Sequence, residues 1–144
     1  MSRRSSIIAV VAVFLMGSLA FAQEAQKPSY FTVTTWEVTI PEDGSRSEFN
    51  QLMKEWSDKV VRQNDKIISE RVVHHISGSN SRDVVIITEY ANWADIEKAQ
   101  EKQDELVAAA WPSENERRDF FRKFRKYFRS HSDEIYQENT DLRK

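Results

Sequence analysis

The chain of 144 residues contains three histidines, and two of them, His74 and His75, are adjacent. Neighbours on a strand point to opposite faces, so the pair cannot grip one metal ion within a subunit. Each is instead a candidate general base, with one of the two directed at a pocket or a subunit interface. Histidine in such a setting is more often a hydrogen-bonded sheet residue. The third, in His131-Ser132-Asp133-Glu134, gathers an imidazole and two carboxylates within four residues. That set could orient a proton-transfer base or hold a divalent ion, but it matches no strong metal motif, and a solvated helix end would look the same. No metal is assigned to it.

Trp36, Trp56, Trp93 and Trp111, with a cluster of phenylalanines, could wall an apolar ligand pocket, although aromatics at these spacings are more often plain core. Glu37, Glu89 and Tyr90 are the polar groups expected on sheet faces beside it. The pocket set is therefore Trp36, Glu37, Glu89, Tyr90 and Trp93. A glutamate buried there would have its pKa raised and could act as an acid or a base. A third feature is the basic run Arg117, Arg118, Arg122, Lys123, Arg125, Lys126 and Arg129, laid beside an aromatic stripe. Contact of residues 117–129 with a membrane surface or polyanion, centred on Arg122, Lys123, Arg125 and Lys126, fits this pattern. An ordinary docked helix with a solvated basic face fits it as well.

These residues need elements to hold them. Asp83 to Tyr90 contains four consecutive β-branched apolar residues and reads as a central strand covered on both faces. Asn92 then offers a helix cap with Asp95 three residues on. Upstream, Tyr30 to Ile40 is rich in β-branched and aromatic residues and closes at Pro41, which marks a first strand. Ser45 and Glu48 form a capping box before Phe49, Leu52, Met53, Trp56 and Val60, whose spacing predicts an amphipathic helix. From Ile67 to Ser77 the period returns to two, with Ile68, Val72, His74 and Ile76 on one face, and Gly78 to Ser81 supplies a hairpin turn. A second helix from about Trp93 to Ala110 buries Trp93, Ile96, Ala99, Leu106 and Ala110, with Gln103 where an apolar residue belongs. Trp111-Pro112 ends it. Ser113 and Glu116 open a third helix that carries Phe120, Phe121, Phe124, Tyr127 and Phe128. Residues 131–144 are polar and could be a short strand, a helical continuation or a draped tail.

Composition bounds the rest. Arg3 and Arg4, an apolar run from Ile7 to Leu19, and Ala20-Phe21-Ala22 make a secretory signal with cleavage near Ala22, so residues 1–22 are expected to be removed and the protein to be periplasmic or secreted. Residues 23–29 read as a flexible leader, 30–111 as the main domain, and 112–144 as a C-terminal helix and tail on the same domain. Without cysteine there is neither a disulfide scaffold nor a thiolate metal site. Losing two arginines with the signal takes 21 basic residues to 19, against 23 acids, so the net charge moves from −2 to −4. That balance argues against nucleic acid as a partner.

The order β-α-β-β-α is most of a ferredoxin-like α+β unit, an antiparallel sheet with its helices on one face and here an extra C-terminal helix. The uncovered apolar face calls for a second copy of the same sheet, hence a homodimer. This order, with Ile87-Thr88-Glu89-Tyr90-Ala91-Asn92-Trp93 running into an amphipathic helix, resembles the dimeric α/β-barrel superfamily over roughly Phe31 to Ala110. That group includes antibiotic-biosynthesis-monooxygenase-like and stress-responsive barrel proteins. The resemblance implies a barrel of paired sheets with a pocket between each sheet and its helices. The superfamily's haem-degrading members use an Asn on the first strand, a Trp near the start of the second helix and a His near its end. Here only Trp93 matches, and Trp111 falls where the His would be, so no cofactor is expected. The function this suggests is binding of a small apolar or aromatic molecule, either by a cofactor-independent monooxygenase-like enzyme or by a non-catalytic binder. The alternative is an envelope interaction module that uses the basic helix against an anionic surface or partner.

Overall fold

The structure is a computed structural model that describes residues 27–144. The expected signal at 1–22, and residues 23–26 of the expected leader, lie outside the described residues. Seven principal elements follow in order: β1 (Tyr30–Val38), α1 (Arg46–Lys59), β2 (Ser69–His74), β3 (Asp83–Tyr90), α2 (Ala94–Ala110), α3 (Glu114–Arg125) and β4 (Phe128–Gln137). The four strands form one antiparallel sheet in the order β2-β3-β1-β4. This is the ferredoxin-like α+β architecture, completed by a fourth strand.

Residues 131–144, compatible with several conformations in the sequence, are resolved as most of β4 and a short 3₁₀ turn at Thr140–Leu142. The reason lies in β1. Its second edge would otherwise expose a row of unpaired N–H and C=O groups, and β4 satisfies them from Tyr30↔Gln137 to Val38↔Phe128. His131 therefore stands on a strand and not at a helix end. Two other boundaries also move. The second strand ends at His74, because beyond the Val84 pairing the chain bends through Gly78 at a φ of 134°, leaving Ile76 94% exposed. Helix α3 stops at Arg125, so Tyr127 and Phe128 lie beyond it, Phe128 as the first residue of β4.

Strand alternation and register decide which side chains share a face. Thr32, Thr34 and Trp36 of β1 stand in line with Thr88, Ile86 and Val84 of β3, and with Ile135, Asp133 and His131 of β4. Glu70 and Val72 extend the first two of these rows onto β2. This face looks toward the helices. The opposite face carries Phe31, Val33, Val73, Val85, Ile87 and Tyr136, and among the described residues no helix crosses it.

The core is displaced to one end of the sheet. Phe49, Leu52, Val60, Trp111, Phe120 and Tyr127 are buried there, packed by Trp56, Phe121, Phe124 and Phe128. At the start of α1 the expected capping box is only half made. Ser45 Oγ accepts from the Glu48 N–H at 3.0 Å, but the Ser45 N–H donates to Tyr127 Oη at 3.1 Å. The Glu48 carboxylate turns instead to the Tyr127 hydroxyl and to Lys126 Nζ, 3.1 Å away. The box at Ser113 and Glu116 is complete. Asn92 does not cap α2: Trp93, in helical conformation, occupies the N-cap, and Asn92 Nδ2 donates to Asp95 Oδ2 at 2.8 Å.

Asn64 locks the other end of α1 to α2. It is buried, donates from Nδ2 to the Ala99 carbonyl at 2.8 Å, and accepts from the Lys66 N–H at 3.1 Å. Asn64→Ala removes both bonds, and the expected loss is about 1–3 kcal/mol, read as a lower urea midpoint at unchanged slope.

Candidate functional site

Because the core gathers at one end, the other end of the helix-facing sheet is left open as a cavity of about 1120 Å³ between the sheet and the helices. That is the size of a large small-molecule pocket. Its floor is the helix-facing side of the sheet, with Thr32, Thr34 and Trp36 beside Ile86, Thr88 and Tyr90, flanked by Glu70 and Val72 on one side and by His131 and Asp133 on the other. Met53, Trp56, Val60 and Val61 close one wall, Ile96, Ala99, Gln100 and Gln103 a second, and Phe121 and Phe124 a third. Gln103, the polar interruption in the apolar stripe of α2, has no core neighbour to satisfy because it looks into this space.

Two polar clusters stand on that floor. At one side, Glu70 Oε2 accepts a hydrogen bond from Thr88 Oγ1 at 3.1 Å. Burial pushes the Glu70 carboxyl above its ordinary value, and the Thr88 bond offsets this only in part. At the other side, Asp133 joins two strands: its Oδ1 accepts from Thr34 Oγ1 at 2.8 Å and its Oδ2 lies 3.1 Å from His131 Nε2. His131 also rests on Trp36, with ring centroids 4.2 Å apart. A carboxylate at Nε2 holds the proton there and leaves Nδ1 as the acceptor, which is the arrangement of an oriented base. Tyr90 is buried with its hydroxyl 3.5 Å from Thr32 Oγ1.

The residues singled out from sequence divide between this cavity and other places. Trp36, Tyr90, Trp93 and His131 line it. Trp93 does so from the mouth: it is 59% exposed and meets Tyr30 edge-on at 6.0 Å, so it is not a buried residue of α2. Glu37 and Glu89 do not line it, since odd positions of β1 and β3 face the other side of the sheet. There Glu37 pairs with Arg82 at 2.9 Å, and Glu89 accepts from Ser29 at 2.9 Å and Ser69 at 2.8 Å. His74 and His75 are also elsewhere, beside Arg46, Arg82 and Asp83 around a hollow of about 150 Å³ at the opposite end of the sheet. His75 Nδ1 is buried there without a hydrogen-bond partner among the described residues. Among the described residues no three His, Asp or Glu side chains are placed to hold a metal ion.

The basic set is not one surface either. Arg122 pairs with Asp119 at 3.0 Å, and the Arg125 guanidinium lies 5.4 Å from the Phe121 ring centroid at the cavity wall. Lys126 is turned inward: its side chain is 22% exposed and is held by Glu48 and by the Asp43 carbonyl at 2.9 Å. Lys123 is left exposed. No helix among the described residues is long and apolar enough to cross a membrane.

Glu70 was the residue that sequence reasoning missed. Its one signal is a position on the same strand face as Ile68 and Val72, where an acid interrupts an apolar series. The link from Thr34 to Asp133 had no sequence signal, because their sequence separation of 99 closes only when β4 pairs with β1.

No protein-family profile and no curated protein sequence matches the chain. Solved structures do. A dimeric ferredoxin-like protein from an uncultured marine organism superposes with a TM-score of 0.55 at 10% identity, covering 83% of this chain and 95% of its own. SnoaB, a cofactor-independent oxygenase from Streptomyces nogalater, gives 0.51 at 9% identity, over 81% of this chain and 98% of its own. An uncharacterized NIPSNAP domain protein from Burkholderia xenovorans gives 0.51 at 12% identity, over 80% and 99%. The four-stranded antiparallel sheet and the helices on one of its faces thus place this chain in the ferredoxin-like fold that dimeric ferredoxin-like proteins, a SnoaB-type oxygenase and NIPSNAP proteins share.

Proposed function

We propose that this protein, exported and paired with a second copy of itself, binds a small, largely apolar or aromatic molecule in the cavity between its sheet and its helices. The observation that carries the reading is the cavity: about 1120 Å³ of space lined by Trp36, Trp56, Phe121 and Phe124, with polar clusters around Glu70 and around Asp133 on its floor. Pockets that select organic ligands have this composition. The reaction class it suits is cofactor-free oxygenation, in which an electron-rich ligand gives up a proton to a base and dioxygen is the oxidant. His131, oriented by Asp133, is the base in that scheme. The SnoaB likeness supports the same reading through the fold alone.

A second copy covers the bare face of the sheet. Val33, Val73, Val85, Ile87 and Tyr136 form an apolar field there that no helix among the described residues shields, and a twofold pairing of equal sheets removes it from water on both sides. Two solved structures that share this fold are of dimeric ferredoxin-like proteins.

Native mass spectrometry on protein taken from its host's envelope fraction tests these points together. The expected spectrum shows a dimer, a protomer mass short of residues 1–22, and a retained small molecule. Val72→Trp, which fills the cavity floor from a half-exposed position, is expected to release that molecule while leaving the dimer and the circular dichroism spectrum unchanged. A monomer that retains nothing, and whose tryptophan fluorescence is unmoved by any member of an aromatic panel, would sink the reading.

A further inference from the structure

Resting on the cavity reading above, we infer that the ligand carries a positively charged nitrogen on its apolar body and that Glu70 is the group that receives it. The cavity brings a carboxylate into an apolar space without bringing its counter-charge. Among the described residues Glu70 makes no ion pair, and its single hydrogen bond comes from the neutral hydroxyl of Thr88. A partly desolvated carboxylate in that position is costly until a cation or a strong donor reaches it. Burial is the dominant influence on its proton affinity, and no lysine or arginine contributes to it.

The rest of the lining does not supply the charge. Glu70, Glu97 and Asp133 line the cavity against one arginine, Arg125, whose guanidinium is laid on Phe121. Asp133 already has two partners in Thr34 and His131, which leaves Glu70 as the unmatched acid on the floor. A cleft with an excess of one sign concentrates ligands of the opposite sign. Its aromatic walls also suit the ligand, since ring faces of tryptophan, tyrosine and phenylalanine attract organic cations as well as apolar bodies. An organic amine with an aromatic or aliphatic skeleton satisfies both the walls and the floor, whereas an organic acid of the same shape would meet three carboxylates.

Three probes of one skeleton separate these demands: tryptamine, 3-ethylindole and indole-3-propionate, titrated calorimetrically into the full-length dimer at neutral pH. Tryptamine is expected to bind about tenfold or more tighter than 3-ethylindole, and indole-3-propionate weakest. Glu70→Gln, which keeps an oxygen for the Thr88 hydroxyl, is expected to bring tryptamine to within about twofold of 3-ethylindole and leave the neutral probe unchanged. Equal binding of the three by the native protein, or tighter binding of the acid, would overturn the inference while leaving the cavity reading in place. So would a tryptamine preference that survives Glu70→Gln. Failure of all three indoles to bind removes the cavity reading and this inference together.

Discussion

Trp111→Ala is expected to cost about 3–5 kcal/mol of stability, the usual range for truncating a buried tryptophan. The indole is 5% exposed and sits in the middle of the aromatic nest, 4.1 Å from the Phe120 ring centroid, 6.1 Å from Phe121 and 6.4 Å from Trp56. Its Nε1 donates to Glu55 at 3.3 Å, and Lys59 Nζ stands 4.9 Å from its ring centroid. Removal therefore takes away ring contacts on several sides and leaves a void where α1, α2 and α3 meet. A domain of this kind has only about 5–15 kcal/mol in all, so the loss is a large fraction of the total. The measurement is a thermal melt, with Tm lower by on the order of 10–20 °C. Trp111→Phe, which keeps most of the packing, should fall well short of that. A Trp111→Ala protein that melts within about 3 °C of the parent would show that the nest does not hold the helices together.

The second large effect is at Tyr127. Its side chain is fully buried, packs at a tilt against the Phe49 ring with centroids 5.3 Å apart, and uses its hydroxyl twice, accepting from the Ser45 N–H and donating to Glu48. Tyr127→Phe keeps the ring and strips the hydroxyl, leaving the first N–H of the α1 cap without its acceptor. The expected cost is about 1–3 kcal/mol. The turn before it is fitted to the same atom: a Cβ on Gly44 would come within 2.7 Å of Tyr127 Oη. The pH dependence carries a sign that can be worked out. The Tyr127 hydroxyl first, and then Lys126, holds the Glu48 carboxyl below its ordinary value. A depressed folded pKa contributes stability that is present above the ordinary carboxylate range and is lost as pH falls through the folded value. Deleting the hydroxyl removes the largest cause. The gap between parent and Tyr127→Phe in urea midpoint should therefore be widest near neutral pH and narrow at about pH 3, below the ordinary glutamate range. A gap that stays constant across that interval would count against the Glu48 link.

How much of this was legible in the sequence depends on how each element earns its place. β3 and α1 announce themselves, because an inner strand of the sheet carries the apolar run from Val84 to Ile87 and a helix docked on one stripe must carry apolar residues at a period of about 3.6. β4 did not. It is an edge strand with exposed residues along nearly all its length, and it exists because β1 has a second edge to fill, a demand written elsewhere in the chain. The candidate site inherits the same split. Trp36, Tyr90 and His131 were picked by residue type and do meet in the cavity. Glu37 and Glu89 do not join them, because alternation along β1 and β3 sets each against its neighbour, Trp36 or Tyr90, on the other face of the sheet. Glu70 was passed over because an acid on a half-exposed strand usually faces solvent, and only the packing of α1 and α2 above it makes this one an exception.

Closing the sheet with its last strand beside its first also brings the two ends of the domain together. The Glu138 N–H donates to the Ser29 carbonyl at 2.9 Å, and the Ser29 N–H reaches the Glu138 carboxylate at 3.3 Å. Chain arriving at residue 29 and chain leaving at residue 138 therefore share one corner, far in sequence from the exposed Gly78 hairpin. Joining them needs almost no linker, so the fold is open to circular permutation, with new ends cut at that hairpin and the bare sheet face left clear.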